Sequence, residues 1–374
     1  MSVRATIGIG LTVAIAIGVT GCASRATRAQ DAVSIGVIAP LNSGVPAAAR
    51  ASVQGATLAA EEVNAAGGVG GGSVSLIILD DRGSPDEAAR HFEQLVAQKA
   101  VAVIGPLTDA TSMAVAPIAE RAKVVVISPG ATGTIPYGGS SFFRTALPAE
   151  SQARALAEFV VRTKRTRRIS IIQDGNEYGT LVALAFSQRI HALGGEVVGT
   201  RYYRDGDTAF ERHATGAVAD GADAVFIAGY PDEGAPILSA VRARGVRAVM
   251  IGSDALYSTD LLYRAKDAAN ELYLPAGFIV TEPLPAIQKF VGAYRKRFNE
   301  PPDQYAAQAY DAVKLLVAAI RRGGRDPSTV RASLHALRRF PGVTGEITFD
   351  RWGAPDRSVA IVQVQAGRFE LVRR

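Results

Sequence analysis

Residues 101–127 read VAVIGPLTDATSMAVAPIAERAKVVVI, and this stretch decides the fold class. Val101–Ile104 and Val124–Ile127 are short apolar, β-branched runs of strand type. Between them, Ser112–Ala122 is Ala-rich and reads as an amphipathic helix. Two strands separated by a helix lie parallel in one sheet, because the helix carries the chain back to the end where it started.

The rhythm extends in both directions. Upstream, Val33–Ala39 is strand, Ala47–Ala66 is a helix stopped by Gly67-Gly68, Val74–Leu79 is strand and Pro85–Lys99 is helix. After Arg144 the pattern starts again. Helices over 150–163, 179–193, 208–219 and 233–244 alternate with strands over 169–172, 196–200, 223–228 and 247–251. Helices near 285–298, 304–322 and 327–338 follow, then strands Gly345–Phe349 and Val359–Gln365. The reset near residue 147 predicts two parallel sheets with crossover helices, and the chain length suits two domains. No tandem repeat of solenoid length and no long low-complexity linker interrupts it.

The first thirty residues read as an address. Met1–Arg4 is a short basic start, Ala5–Thr20 is uncharged, and Ala23–Gln30 is polar. This is the pattern of a secretory signal peptide over 1–21, with 22–30 as a tether. The uncharged run is shorter than the roughly 20 apolar residues of a membrane-spanning helix. Val19-Thr20-Gly21-Cys22 resembles the bacterial lipobox, which implies lipidation of Cys22 and a lipid-anchored, extracytoplasmic protein. Cys22 is the one cysteine in 374 residues, so intramolecular disulfides and thiolate chemistry in the folded part are excluded.

Formal net charge is +6, or +5 once Arg4 leaves with the signal peptide. One basic cluster stands out: Arg162, Lys164, Arg165, Arg167 and Arg168, with no aromatics interleaved. Nucleic-acid binding is the sharp reading, and a solvated helix end is the better one, since cations complement a helix C-terminus. A patch facing a membrane or a transporter is the third. The four histidines, His91, His191, His213 and His335, have no metal-ligand spacing. No nucleophile elbow or phosphate loop occurs, and the glycine run Gly67–Gly72 follows a helix instead of linking strand to helix. Asp80-Asp81 is a weak metal signal. Neither a cofactor nor a metal is expected.

A series of short motifs then appears in order: Ile35–Leu41 (IGVIAPL), Glu61–Gly68 (EEVNAAGG), Leu79–Arg82 (LDDR), Val103–Pro106 (VIGP), Ser128–Thr132 (SPGAT), Tyr178-Gly179, Gly229–Glu233 (GYPDE), Gly252–Asp254 (GSD), Gln308–Asp311 (QAYD) and Gly345–Asp350 (GEITFD). Together they resemble the branched-chain-amino-acid-binding class of periplasmic binding proteins, the receptors of ABC importers. The resemblance covers the chain from residue 33 onward. It implies the type I periplasmic binding protein fold: two Rossmann-like α/β lobes with parallel sheets, joined by three crossover strands and closing on a ligand by hinge motion. Because the family swaps its last elements between lobes, it implies a first lobe of 31–147 with 277–356 and a second of 148–276 with 357–374.

Open parallel sheets collect ligands at the carboxyl ends of strands, where helix N-termini offer unpaired N–H groups. Two loops here fit: Gly105–Thr111 and Ser128–Thr132. In the resembling family these loops hold an amino-acid α-carboxylate, which makes Thr108, Asp109, Ala110, Gly130, Ala131 and Thr132 candidate ligand-binding residues. Thr132 falls on the family's threonine, and Asp109 stands where its serine would be. An aspartate there repels a carboxylate, and its alternative role is to cap the following helix. The resemblance also places Tyr178 and Tyr230 in the cleft and pairs Asp254 with a ligand ammonium, whereas core tyrosines and a turn aspartate are the bland alternatives. Small Ala47–Ala49 leaves room for a large ligand side. The resulting expectation is a monomeric, non-enzymatic capture protein. It delivers a small polar ligand, amino-acid- or amide-like, to an ABC importer permease, with no nucleic-acid partner. The alternative is a ligand-sensing receptor of the same fold.

Overall fold

The computed structural model describes residues 32–136, 140–204 and 206–373; the expected signal peptide 1–21, Cys22 and the expected tether lie outside them. The first part of the chain forms β1 (Val33–Ala39), α1 (Pro46–Ala65), β2 (Val74–Asp80), α2 (Pro85–Ala97), β3 (Ala102–Ile104), α3 (Asp109–Ala122), β4 (Val125–Ser128) and β5 (Phe142–Arg144). The strands lie in the order β2-β1-β3-β4-β5, every pair parallel, with Val33 opposite Val74, Ile35 opposite Ala102 and Ala102 opposite Val125. Both faces are covered, which is why these strands read as unbroken apolar runs. Ile38, Val103 and Val126 meet Phe92 of α2 and Val115 of α3 on one face. Val33, Ile35 and Ile127 meet α1 on the other. Helix α2 starts where Ser84 accepts from the Glu87 N–H and Pro85 pre-sets the first turn.

The second part forms α4 (Ala149–Glu158), β6 (Arg168–Asp174), α5 (Glu177–Ala192), β7 (Glu196–Tyr203), α6 (Glu211–Ala219), β8 (Ala224–Ala228), α7 (Pro231–Ala243), β9 (Val249–Gly252), α8 (Thr259–Ala265) and β10 (Leu272–Ala276). Next come α9 (Pro285–Phe298), α10 (Gln304–Gly323), α11 (Pro327–Ala336), the small hairpin β11 (Phe340–Gly342) and β12 (Gly345–Ile347), and finally β13 (Ala360–Gln365) and β14 (Arg368–Arg373). The second sheet runs β14-β13-β10-β9-β8-β6-β7.

This sheet is mixed, where the sequence predicts parallel strands throughout. Strand β13 runs antiparallel to β10, and β14 antiparallel to β13. The two-residue turn Ala366-Gly367, with φ of 47° and 71°, returns β14 against β13 as a tight hairpin, while β13 itself joins β10 only after the chain has passed through the first half. Strand β10 was missed because Pro275 sits inside it, and a proline argues against a strand. The helix expected over 150–163 is α-helical only to Glu158, after which Phe159–Thr163 widens into a π-type turn. The basic cluster beyond it is engaged locally. Arg168 contacts Glu196 at 3.3 Å and the Gly221 carbonyl, and Lys164 lies over the Tyr273 ring.

Helices α9–α11 pack back on the first sheet, where Phe290, Leu316 and Val330 share a core with Val33 and Val37. Helices α1 and α10 cross so closely that a Cβ on Gly55 would come within 2.0 Å of the Ala306 carbonyl oxygen. Tyr310 and Lys314 both reach Glu62 across this crossing, at 2.6 and 2.8 Å. The chain therefore passes between the two halves three times, after β5, after β10 and after β12.

Candidate functional site

Strand β3 ends in Gly105, whose φ of 87° and contact with the Ile38 carbonyl admit no side chain, and a cis Gly105-Pro106 bond follows. The Pro106 carbonyl is then fixed by the Ser128 hydroxyl at 2.6 Å and the Ser112 hydroxyl at 3.3 Å. Ser128 also accepts from the Ala131 N–H at 3.0 Å, so one serine ties the exits of β3 and β4 together. Helix α3 is capped by Thr108, which accepts from the Thr111 N–H. The capping role weighed for Asp109 therefore belongs to its neighbour. Asp109 is the first helical residue, and its carboxylate crosses to the other loop. It accepts from the Thr132 N–H at 2.8 Å, the Gly133 N–H at 2.9 Å and the Thr132 hydroxyl at 3.3 Å. Buried Arg144 donates to the Gly133 carbonyl alongside. Burial raises the Asp109 pKa, against the opposing pull of these donors and of Arg144.

From the second sheet, Asn176 caps α5 by accepting from the Gly179 N–H at 2.8 Å, which fixes Tyr178 in the first turn. Its ring stacks on Tyr230, at the start of α7, with centroids 4.9 Å apart and 27° between planes. The Tyr178 hydroxyl donates to Asp254 at 2.7 Å and accepts from the Ala255 N–H at 3.1 Å. Burial holds both phenols neutral, far above their ordinary range. Burial also raises the Asp254 pKa, opposed by the Tyr178 hydroxyl. The Asp254 carbonyl accepts from Gln304 at 2.6 Å, which joins the second sheet to the start of α10.

Between these walls lies a cavity of 520 Å³. Thr108, Asp109, Ala110, Tyr178 and Tyr230 line it. Gly130, Ala131, Thr132 and Asp254 stand behind the wall: the first three because their loop turns its N–H groups to Ser128 and Asp109, the last because Tyr178 covers it. The halves touch beside the cavity, since a Cβ on Gly133 would come within 2.9 Å of Leu181 of α5. Gly44–Ala48 forms part of the rim, where the sequence predicts space.

Other lining residues escaped the sequence reading. Tyr294, Glu300, Asp303 and Tyr305 form a third wall where α9 passes into α10. The one local signal was Asp303, a polar residue directly before a helix; it caps α10 by accepting from the Ala306 N–H at 2.9 Å. Burial pushes Asp303 up to about 7, opposed by the Ala306 and Tyr305 N–H groups. Tyr263 and Arg264 come from α8, which the sequence pattern does not show; Arg264 is held by Asp232 at 2.9 Å and Asp260 at 2.8 Å. Among the described residues, no group of three or more His, Cys, Asp and Glu is placed to hold a metal ion. No helix among them is long and apolar enough to cross a membrane.

Residues 32–368 match a family model described as periplasmic binding protein. A Leu/Ile/Val-binding protein homolog of Brucella melitensis is 28% identical over 344 residues, covering 88% of this chain and 90% of its own. An amino acid binding protein of Pseudomonas aeruginosa is 27% identical, covering 91% of each chain. Among solved structures, the branched-chain amino acid transporter substrate binding protein LivJ of Streptococcus pneumoniae, crystallised with isoleucine, superposes with a TM-score of 0.86 at 27% identity, covering 92% of this chain and all of that one. The leucine binding protein LivK of Thermotoga maritima superposes with a TM-score of 0.84 at 28% identity, covering 91% of this chain and 97% of that one.

Proposed function

The chain belongs to the periplasmic binding protein family, and on that premise we propose that it captures a small polar solute, amino-acid- or amide-like, outside the cytoplasm and passes it to the permease of an ABC importer. The observation that carries this reading is the 520 Å³ cavity walled by both halves. Its size suits a small molecule. Its walls belong to bodies joined by only three chain passes, a connection that permits hinge closure.

In this reading the rigid bodies are residues 31–147 with 277–356, and 148–276 with 357–374. Thr108, Asp109 and Ala110 meet the solute from the first body, Tyr178 and Tyr230 from the second. Gly130, Ala131, Thr132 and Asp254 act from behind, as the frame that aims them. The solute binds one body in the open form, and the second completes the cage, so the closed form is favoured by contacts that exist only when both engage. No chemical step is required. Cys22, outside the described residues, carries the lipid that keeps this monomer at the membrane beside its permease.

The test is a thermal-shift screen of the full chain in detergent against amino acids, amides, polyamines and aromatic acids. Capture predicts a saturable rise with one chemical class, worth about 2.7 kcal/mol at a hundredfold excess over the dissociation constant. It also predicts compaction in small-angle scattering with the same compound. A flat response to every class contradicts solute capture.

A further inference from the structure

The backbone donors at the exit of β4 are already taken. Asp109 accepts the Thr132 and Gly133 N–H groups and the Thr132 hydroxyl through its two carboxylate oxygens. All three bonds need Asp109 as the acceptor, so the site holds a carboxylate supplied by the protein itself. A ligand carboxylate arriving at this corner would find those donors consumed and a like charge facing it.

The remaining wall points the same way. Eight acidic side chains and only two arginines line the cavity, in a protein whose formal net charge is +6. Arg264, one of the two arginines, is spanned by Asp232 and Asp260. Five tyrosines share the lining, with Tyr178 and Tyr230 stacked face to face. Carboxylates and aromatic faces together are the recognition chemistry of an ammonium group.

We propose that the solute is an organic cation without a free carboxylate, such as an alkylamine or an amino-acid amide, and that Asp109 enforces this by filling the carboxylate position from within. This rests on the solute-capture reading and narrows its ligand class. Asp109 is thereby a specificity-determining residue. It rejects zwitterionic amino acids through repulsion and lost donors, and it contributes negative charge toward an amine.

Three probes with one side chain separate the possibilities: L-leucine, L-leucinamide and 3-methylbutylamine, titrated calorimetrically into the full chain at neutral pH, with 1,5-diaminopentane as a fourth. The proposal expects the amide or an amine to bind at least about tenfold more tightly than leucine, the size of one unmade buried hydrogen bond. In Asp109→Ser, the freed N–H groups should donate to a ligand carboxylate, and the preference should move toward leucine by about tenfold or more. Should that variant misfold, the wild-type ranking decides alone. Leucine binding as tightly as leucinamide overturns this inference and leaves solute capture standing. Failure of all four probes to bind sinks the cationic class and counts against capture as well.

Discussion

Asp109 and Asp254 both sit just past a strand exit, one in each half, and do different things there. Each follows the exit of a parallel strand, each opens a helical turn, and burial raises the pKa of each. Asp109 gathers three donors from a neighbouring loop and still lines the cavity. Asp254 takes the Tyr178 phenol, with Gln152 as a further side-chain partner, and stays out of the cavity lining. The strand exit brings a carboxylate to the cleft, but the donors around it decide whether it faces a solute or the core.

The contrast can be broken most forcefully at the seal. Tyr178→Ala should cost about 3–5 kcal/mol of unfolding free energy in denaturant titration, because it empties a buried aromatic site and strips Asp254 of its donor. Asp109→Ala should cost less, about 1–3 kcal/mol, by leaving the Thr132 and Gly133 N–H groups unpaired. Hydrogen exchange should then accelerate at those two amides and stay unchanged around Asp254. Thr108→Ala should cost about 1 kcal/mol, the loss of the α3 cap, because capping and loop-bridging fall to different residues. An effect as large as that of Asp109→Ala would mean that the two roles are not separate.

The gentlest test is a slope. In the unfolded chain these carboxyls release their protons near pH 4, whereas in the fold burial keeps them protonated to higher pH. Stability should therefore fall as pH rises from about 4 and level off above the raised folded values. Asp303, pushed up to about 7, acts in the same direction, and its own share of the decline ends near neutrality. Replacing each carboxyl by its amide removes its share of the slope. Asp254→Asn and Asp109→Asn should each flatten the curve.

Much of the first half was legible because its information is local. The β3–α3–β4 unit and both loops follow from residues 101–132 alone. Tyr178 and Tyr230, singled out by the motif resemblance, line the cavity. The rest depends on what comes together across the chain. Nothing near Gly252 says that Tyr178, 76 residues earlier, will cover Asp254. The wall from Tyr294 to Tyr305 reaches the cavity only because the chain returns to the first half after β10. Strand β14 was hidden by its charges, with arginines at Arg368 and Arg373, which an edge position tolerates.

The three passes between halves also govern the order in which the protein can be made. A nascent chain that has emerged as far as Ala276 holds every strand of the first sheet but lacks α9–α11, whose Phe290, Leu316 and Val330 complete its core. It lacks β13 and β14 as well, so β10 is left as a bare edge open to pairing with another chain. Neither half closes before the last hundred or so residues arrive. Synthesis thus leaves both halves unfinished until these last elements have been made.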